Sequence, residues 1–120
     1  MALIVVVDDE SVIRALVRTA LENGGHDVVD FSDAAPALDS PILPKADVIV
    51  TDLSMPTSAE KLIRHVGELP VPIPIIVMSG YLTEEDWDEV GELGAACFLQ
   101  KPIDLSKLVA TVDRYATASH

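Results

Sequence analysis

The stretch Val48-Ile49-Val50-Thr51-Asp52-Leu53-Ser54-Met55-Pro56 decides the fold that we expect for this chain. A run of apolar, mostly β-branched residues ends on one carboxylate, and a turn containing Met-Pro follows. Continuous apolarity without alternation is typical of a strand buried on both faces, as in a parallel sheet. We therefore expect Asp52 at the carboxyl end of a buried strand.

Other apolar segments on either side of this stretch have the same character. The predicted strands are residues 3–7, 27–31, 48–51, 75–78 and 96–99. Each is followed by a segment with helical periodicity or a helix-capping signal. Alternating strands and helices predict a parallel sheet with right-handed crossovers and helices on both faces.

The helix signals differ in strength along the chain. In the first helix, the predicted inward face is Ile13, Leu16, Val17, Ala20 and Leu21, and Asn23-Gly24-Gly25 ends it. Ser32 or Asp33 can cap a short second helix through Leu38, before a loop marked by prolines. Residues 57–60 form a capping box for the third helix, and Thr83-Glu84-Glu85-Asp86 opens the fourth with acids at its positive end. Asp104 caps the fifth helix, whose apolar face is Leu105, Leu108, Val109 and Val112, with a frayed tail from residue 116.

The predicted fold class is α/β: a doubly wound, flavodoxin-like (βα)5 domain over residues 1–120, with strand order 2-1-3-4-5. In open sheets of this kind, ligands bind at the carboxyl ends of the strands. The length suits one domain, and the hydrophobic content of 49% suits a packed core. The net charge of −12 argues against direct nucleic-acid binding, which needs clustered basic residues. Without a basic leader or a membrane-length apolar run, we expect a cytoplasmic protein with no membrane contact.

Chemically capable side chains follow four of the five predicted strands. Asp8 and Asp9 follow the first strand, Asp52 ends the third, Ser79 follows the fourth and Lys101 follows the fifth. Converging carboxylates are costly without a counter-charge. All-oxygen ligation suits Mg²⁺ better than Zn²⁺. The rim therefore predicts an acidic Mg²⁺ site beside an ammonium and a hydroxyl, a combination suited to a phosphoryl group.

The chain resembles the receiver domains of two-component response regulators. The resemblance covers essentially all 120 residues and is carried by four motifs: Val-Asp-Asp-Glu at 7–10, Thr-Asp-Leu-Ser-Met-Pro at 51–56, Met-Ser-Gly at 78–80 and Phe-Leu-Gln-Lys-Pro at 98–102. It implies that Asp52 is the phosphoacceptor. It also implies that Asp8, Asp9 and Asp52 hold Mg²⁺ together with the backbone carbonyl of Ser54.

The same resemblance implies the remaining roles. Ser79 would be the switch hydroxyl, Phe98 the switch aromatic, and Lys101 the partner of a phosphoryl oxygen, with a cis peptide bond to Pro102. A histidine kinase or a histidine phosphotransfer protein would supply the phosphoryl group. The last two helices and the last strand would then act on a downstream protein or output domain. We expect a monomer or weak dimer, since the acidic fourth helix lacks the basic residues of one charge-paired dimer mode.

Two alternatives remain open from the sequence. The segment Thr57-Ser58-Ala59 departs from the Met-Asp-Gly pattern common after Met-Pro, which would suit a receiver-fold interaction module that is not switched by phosphorylation. A turnover phosphohydrolase with an aspartyl intermediate is disfavoured, because Ser54 stands where such enzymes usually carry a second Asp. We therefore expect a signalling phosphoacceptor that catalyses its own phosphorylation and slow dephosphorylation, not an enzyme acting on a separate substrate.

Overall fold

Five parallel strands form one sheet. The computed structural model describes residues 2–53, 59–80 and 84–118, with the backbone alone for 84–86, 117 and 118. The strands are β1 (Leu3–Val7), β2 (Asp27–Phe31), β3 (Val48–Asp52), β4 (Ile75–Ser79) and β5 (Cys97–Gln100). The helices are α1 (Ser11–Asn23), α2 (Ala34–Asp39), α3 (Ala59–Gly67), α4 (Glu84–Leu93) and α5 (Leu105–Ala118), with a 3-10 turn at Leu43–Lys45. The spatial order β2-β1-β3-β4-β5 confirms the predicted fold class.

The core lies on both faces of the sheet, because successive residues of a strand point to opposite sides. On one face, alternate strand residues pack against α1 and α5: Ile4, Val6, Val48, Val50, Ile76 and Met78 with Val17, Leu21, Leu108 and Val112. On the other face, their neighbours pack against α2, α3 and α4: Val5, Val7, Ile49, Ile75 and Val77 with Ala34, Ala37, Leu62, Ile63, Val66 and Val90. This double burial explains why β1, β3 and β4 show no apolar alternation.

Three details differ from the expectations drawn from sequence. Leu16 was predicted to face inward on α1, but 48% of it is exposed, because Val17 and Leu21 face the sheet and Leu16 lies at the flank. The tail that we expected to be frayed from residue 116 is helical as far as Ala118, and Ala116 is buried in the core on the α1–α5 face. The predicted loop after α2 contains the 3-10 turn and buries Leu43 completely.

The helix ends follow the predicted signals where the structure describes them. Gly25 has a φ of +91°, a conformation that favours glycine, and it follows the end of α1. The carboxylate of Asp104 accepts a hydrogen bond from the Lys107 backbone N–H at 3.1 Å, which caps α5. Residues 57 and 58 of the predicted capping box lie outside the described residues. None of the described helices has the length and apolarity needed to cross a membrane.

Candidate phosphorylation and metal site

Asp8, Asp52 and Lys101 come from three strand ends and face the same side of the sheet. Val6 pairs with Val50 in the β1–β3 register, and Asp8 and Asp52 each lie two residues further along. Lys101 likewise lies two residues beyond Leu99, which packs on the α1–α5 face. Because strand side chains alternate with a period of two, all three continue the α1–α5 side. The Lys101 Nζ is indeed 3.3 Å from Asp8 Oδ2 and 3.5 Å from Asp52 Oδ2.

The sheet itself holds these positions, since its hydrogen bonds continue past the strand ends. The Asp8 N–H donates to the Phe31 carbonyl at 3.1 Å, and the Lys101 N–H donates to the Ser79 carbonyl at 2.9 Å. Arg14 on α1 adds a further tie, because its Nη1 donates to the Asp8 carbonyl at 2.8 Å. The functional side chains therefore stand on rigid backbone, which favours a defined site geometry.

A group of four acids lies at the centre of this rim. Asp8, Asp9, Glu10 and Asp52 each offer a carboxylate oxygen, and these oxygens all lie within 4.8 Å of one another. Asp8 and Asp52 are buried, whereas Asp9 and Glu10 are exposed. Such a set of hard oxygen donors, open to solvent on one side, fits a divalent cation such as Mg²⁺ that retains several waters.

The electrostatics of Asp8 support the same fit. Burial raises the pKa of its carboxyl above the ordinary value of 3.8, while the Glu10 N–H and the charge of Lys101 act in the opposite direction. Without a cation, burial prevails over the favourable contacts. A bound divalent cation would favour the ionised carboxylate and offset this cost.

Lys101 is the cation that the described residues place against these acids. Its Nζ pairs with Glu10 Oε1 at 3.0 Å as well as with Asp8 and Asp52. Burial lowers the pKa of its ammonium, but the hydrogen bond to Glu10 and the charges of Asp8 and Asp52 outweigh burial and raise it. The lysine therefore remains charged at neutral pH and is available as a permanent counter-charge.

Ser79 and Phe98 lie towards the other side of the sheet. Ser79 is buried at the end of β4, one residue past Met78, which pairs with Asp52. Because strand side chains alternate, Ser79 continues the face of Val77, which packs against α2, α3 and α4. Phe98 packs against the α4 face, and its ring centroid lies 4.8 Å from that of Trp87. The Trp87 Nε1 is buried without a hydrogen-bond partner among residues 2–53, 59–80 and 84–118. The Phe98 ring is a packing contact of this indole.

The structure thus brings Asp8, Asp9, Asp52 and Lys101 together, with Ser79 on the same rim. The Lys101–Pro102 peptide bond is cis, the isomer that the resemblance implies. The proposed Ser54 carbonyl ligand lies outside the described residues. So do Thr57 and Ser58, the first two residues of the segment that departs from the family pattern. Glu10 and Arg14 were not predicted as site residues. Glu10 belongs to the Val-Asp-Asp-Glu motif and could have been suspected, whereas Arg14 gave no sequence signal.

Comparison with known proteins gives a consistent result. The family described as the response regulator receiver domain matches residues 4–113. The DNA-binding transcriptional regulator NtrC of Rhizobium meliloti (strain 1021) is 33% identical over 114 residues, which are 94% of this chain and 24% of NtrC. The transcriptional regulatory protein FixJ of Azorhizobium caulinodans is 33% identical over 108 residues, which are 89% of this chain and 51% of FixJ. The chain therefore spans about a quarter to a half of these curated relatives.

A solved structure shows the same fold. The receiver domain of the Francisella response regulator 1452 superposes with a TM-score of 0.90 at 24% identity, covering 100% of both chains. At this level of identity, the likeness concerns the fold alone. It agrees with the strand order and with the placement of helices on both faces.

Proposed function

The chain belongs to the response regulator receiver domain family, and from that premise we propose that Asp52 accepts a phosphoryl group from a phosphohistidine of a partner protein. This proposal rests on one observation. A buried carboxylate at the end of β3 lies within 4.8 Å of three other carboxylates and 3.5 Å from a charged lysine. Receiver domains are signalling modules, and these are the groups that a phosphoryl transfer to aspartate requires.

The transfer forms one bond and breaks another. A carboxylate oxygen of Asp52 attacks phosphorus, the bond between phosphorus and the imidazole nitrogen of the donor breaks, and that nitrogen takes up a proton. Asp52 becomes an acyl phosphate, and the donor becomes neutral histidine. The ammonium of Lys101 neutralises negative charge on the transferred oxygens, which is how such transfers are mainly stabilised.

The acid cluster would hold Mg²⁺ in this reaction. Asp8, Asp9 and Asp52 are the proposed protein ligands, and the Ser54 carbonyl remains a proposed ligand from the sequence. Bound Mg²⁺ would supply two positive charges that offset the carboxylates and the incoming phosphoryl oxygens. Asp8 and Asp52 keep their orientation through the sheet, so that the ligand set exists before the phosphoryl group arrives.

The modified state would differ from the unmodified one at Ser79 and Phe98. In our proposal, the Ser79 hydroxyl donates a hydrogen bond to a phosphoryl oxygen, and Phe98 changes its packing on the α4 side. The phosphoryl group then shifts the population between two arrangements of the α4, β5 and α5 surface. A downstream protein or an output domain would recognise one of these arrangements. A histidine kinase or a histidine phosphotransfer protein would be the donor, and slow self-hydrolysis would reset the site.

Beryllofluoride with Mg²⁺ provides a direct test, because it mimics a phosphoryl group on aspartate. We expect a ¹⁹F NMR signal of a bound adduct that needs both Mg²⁺ and the Asp52 carboxylate. The Asp52→Asn variant should give no adduct while keeping the same circular dichroism spectrum. Absence of a Mg²⁺-dependent adduct in the unaltered protein would refute the proposal and favour a receiver-fold interaction module that is not switched by phosphorylation.

A further inference from the structure

Among the described residues, the carboxylate nearest to the Lys101 ammonium belongs to Glu10. The separation from Nζ is 3.0 Å for Glu10 Oε1, against 3.3 Å for Asp8 Oδ2 and 3.5 Å for Asp52 Oδ2. Glu10 and Lys101 are 91 positions apart in the chain, so the sheet creates this contact. Glu10 therefore belongs to the environment of the lysine as closely as the two aspartates do.

The side chain of Glu10 is not used by the helix that it precedes. Glu10 is the N-cap residue of α1, a position where side chains often accept a hydrogen bond from the first turn. Its carboxylate makes no such bond, and the Arg14 N–H is bonded to the Glu10 backbone carbonyl at 2.9 Å. The backbone N–H of Glu10 donates to Asp8 Oδ1 at 2.9 Å. The backbone is thus fixed by its neighbours, and the carboxylate reaches across the rim to Lys101.

Exposure distinguishes Glu10 from the other partners of the lysine. The side chain of Glu10 is 58% exposed, whereas those of Asp8 and Asp52 are 0% and 3% exposed. Glu10 can leave Lys101 and be hydrated without opening the core. Because a phosphoryl group carries about −1.5 to −2 charges at neutral pH, it would compete strongly for the same ammonium.

We propose that Glu10 is a positioning residue that holds the Lys101 ammonium at the rim until a phosphoryl group on Asp52 takes the place of the Glu10 carboxylate. This inference rests on the proposed function and adds a regulatory contact to the same site. The lysine exchanges a solvated carboxylate for a phosphoryl oxygen, and Glu10 returns to solvent. Loss of the contact should therefore make the site easier to occupy, since the lysine no longer leaves a partner.

Two substitutions separate the contact from the charge. Glu10→Gln removes the charge, and Glu10→Asp keeps the charge but shortens the side chain by one methylene, so that it no longer reaches Lys101. Because partly exposed ion pairs are weak, we expect both variants to lower the dissociation constant of the beryllofluoride adduct by about two- to fivefold. Glu22→Gln, which removes an exposed carboxylate that pairs with Arg18 further along α1, is the matched control and should not change it.

A second measurement needs no adduct. The ¹H–¹³C NMR signal of the Lys101 ε-methylene, assigned by its loss in Lys101→Arg, should move away from its position in the free unaltered protein in free Glu10→Gln and free Glu10→Asp, and should stay unchanged in Glu22→Gln. An affinity change in Glu10→Gln that Glu10→Asp does not share would refute positioning and leave a general charge effect. Unchanged affinity and an unchanged Lys101 signal in both Glu10 variants would also refute it. If the unaltered protein forms no adduct at all, the proposed function fails, and the Lys101 signal still tests the contact.

Discussion

Replacing Asp52 with Asn should stabilise the fold by about 1–3 kcal/mol when a chelator removes divalent cations. The Asp52 carboxylate is buried among three other carboxylates whose oxygens lie within 4.8 Å. Lys101 is the counter-charge that the described residues supply. An amide keeps the shape of the side chain and removes the charge, so that the fold loses an unfavourable electrostatic interaction and little packing.

The magnitude follows from the distances. At an effective dielectric constant of about 20, Asp8 and Asp52 repel each other by about 3.5 kcal/mol at 4.8 Å, the upper limit of their separation. Lys101 attracts Asp52 by about 4.7 kcal/mol at 3.5 Å, which exceeds that repulsion by about 1.2 kcal/mol. Asp9 and Glu10 are exposed, so each adds about 1 kcal/mol of repulsion, close to the value in water. The desolvation of a buried carboxylate adds to the unfavourable side.

Urea unfolding followed by circular dichroism measures this difference, first with chelator and then with Mg²⁺. Binding to the folded state alone should stabilise the unaltered protein by about 1.4 kcal/mol at ten times the dissociation constant. The Asp52→Asn variant should gain much less, because it has lost a ligand and a charge. Asp27→Asn, an exposed acid at the opposite end of the sheet, is the control and should show neither effect.

Two outcomes would refute this reasoning. If Asp52→Asn lowers the free energy of unfolding in chelator, the carboxylate is held by favourable contacts that outweigh the repulsion, and the rim is not electrostatically strained. If Mg²⁺ stabilises Asp52→Asn as much as the unaltered protein, the cation binds without Asp52. Either result would separate the acid cluster from the proposed phosphoacceptor.

Three further predictions concern the acid cluster, the core and α4. Because burial raises the pKa of Asp8, the folded state favours its protonated form. In chelator, the stability that this group contributes should be present at low pH and should fall as pH rises from 3.8 through the raised folded pKa. Urea unfolding at a series of pH values should show this fall in the unaltered protein and not in Asp8→Asn. If the free energy of unfolding depends on pH in the same way in both proteins, the prediction is wrong. Leu108→Ala should cost about 2–5 kcal/mol in urea unfolding, since Leu108 is fully buried against the sheet, and a cost below about 1 kcal/mol would mean that α5 is loosely packed. A double-mutant cycle of Trp87→Leu and Phe98→Leu should give a coupling of about 0.5–1.5 kcal/mol in the free energy of unfolding. Amide hydrogen exchange in α4 should also be faster in Trp87→Leu. The absence of coupling would show that the ring contact does not hold α4.

Much of the site could be predicted from sequence because parallel strands bring their carboxyl ends together. Asp8, Asp52 and Lys101 stand at or just past the ends of mostly apolar strands, and the sheet hydrogen bonds continue to Asp8 and Lys101. A residue at a strand end therefore has little freedom in where its backbone lies. Side-chain alternation then decides which face it continues, and Val6 and Val50 show that face for the two aspartates.

Other features depended on contacts that no local pattern contains. Glu10 and Lys101 meet across the rim although β3 and β4 lie between their strands, so the contact depends on the assembled sheet. Leu16 fits the helical period as well as Val17 does, but the way that α1 crosses the sheet leaves Leu16 at the flank. Periodicity gives the width of an apolar face and not the line along which it packs.

The proposed signal has to pass around the end of the sheet and not through its middle. Asp8, Asp52 and Lys101 continue the α1–α5 face, whereas Phe98 packs on the α4 face. Strands β3 and β4 are buried along their whole length. Residues of a packed core rearrange at a cost, but the rim can rearrange without opening it. The hydrogen bond from the Lys101 N–H to the Ser79 carbonyl joins the two sides at the rim. Binding couplings are reciprocal. A partner that prefers one arrangement of α4, β5 and α5 should therefore change the affinity of the Asp52 site for a phosphoryl mimic by some factor. The mimic should change the affinity for that partner by the same factor.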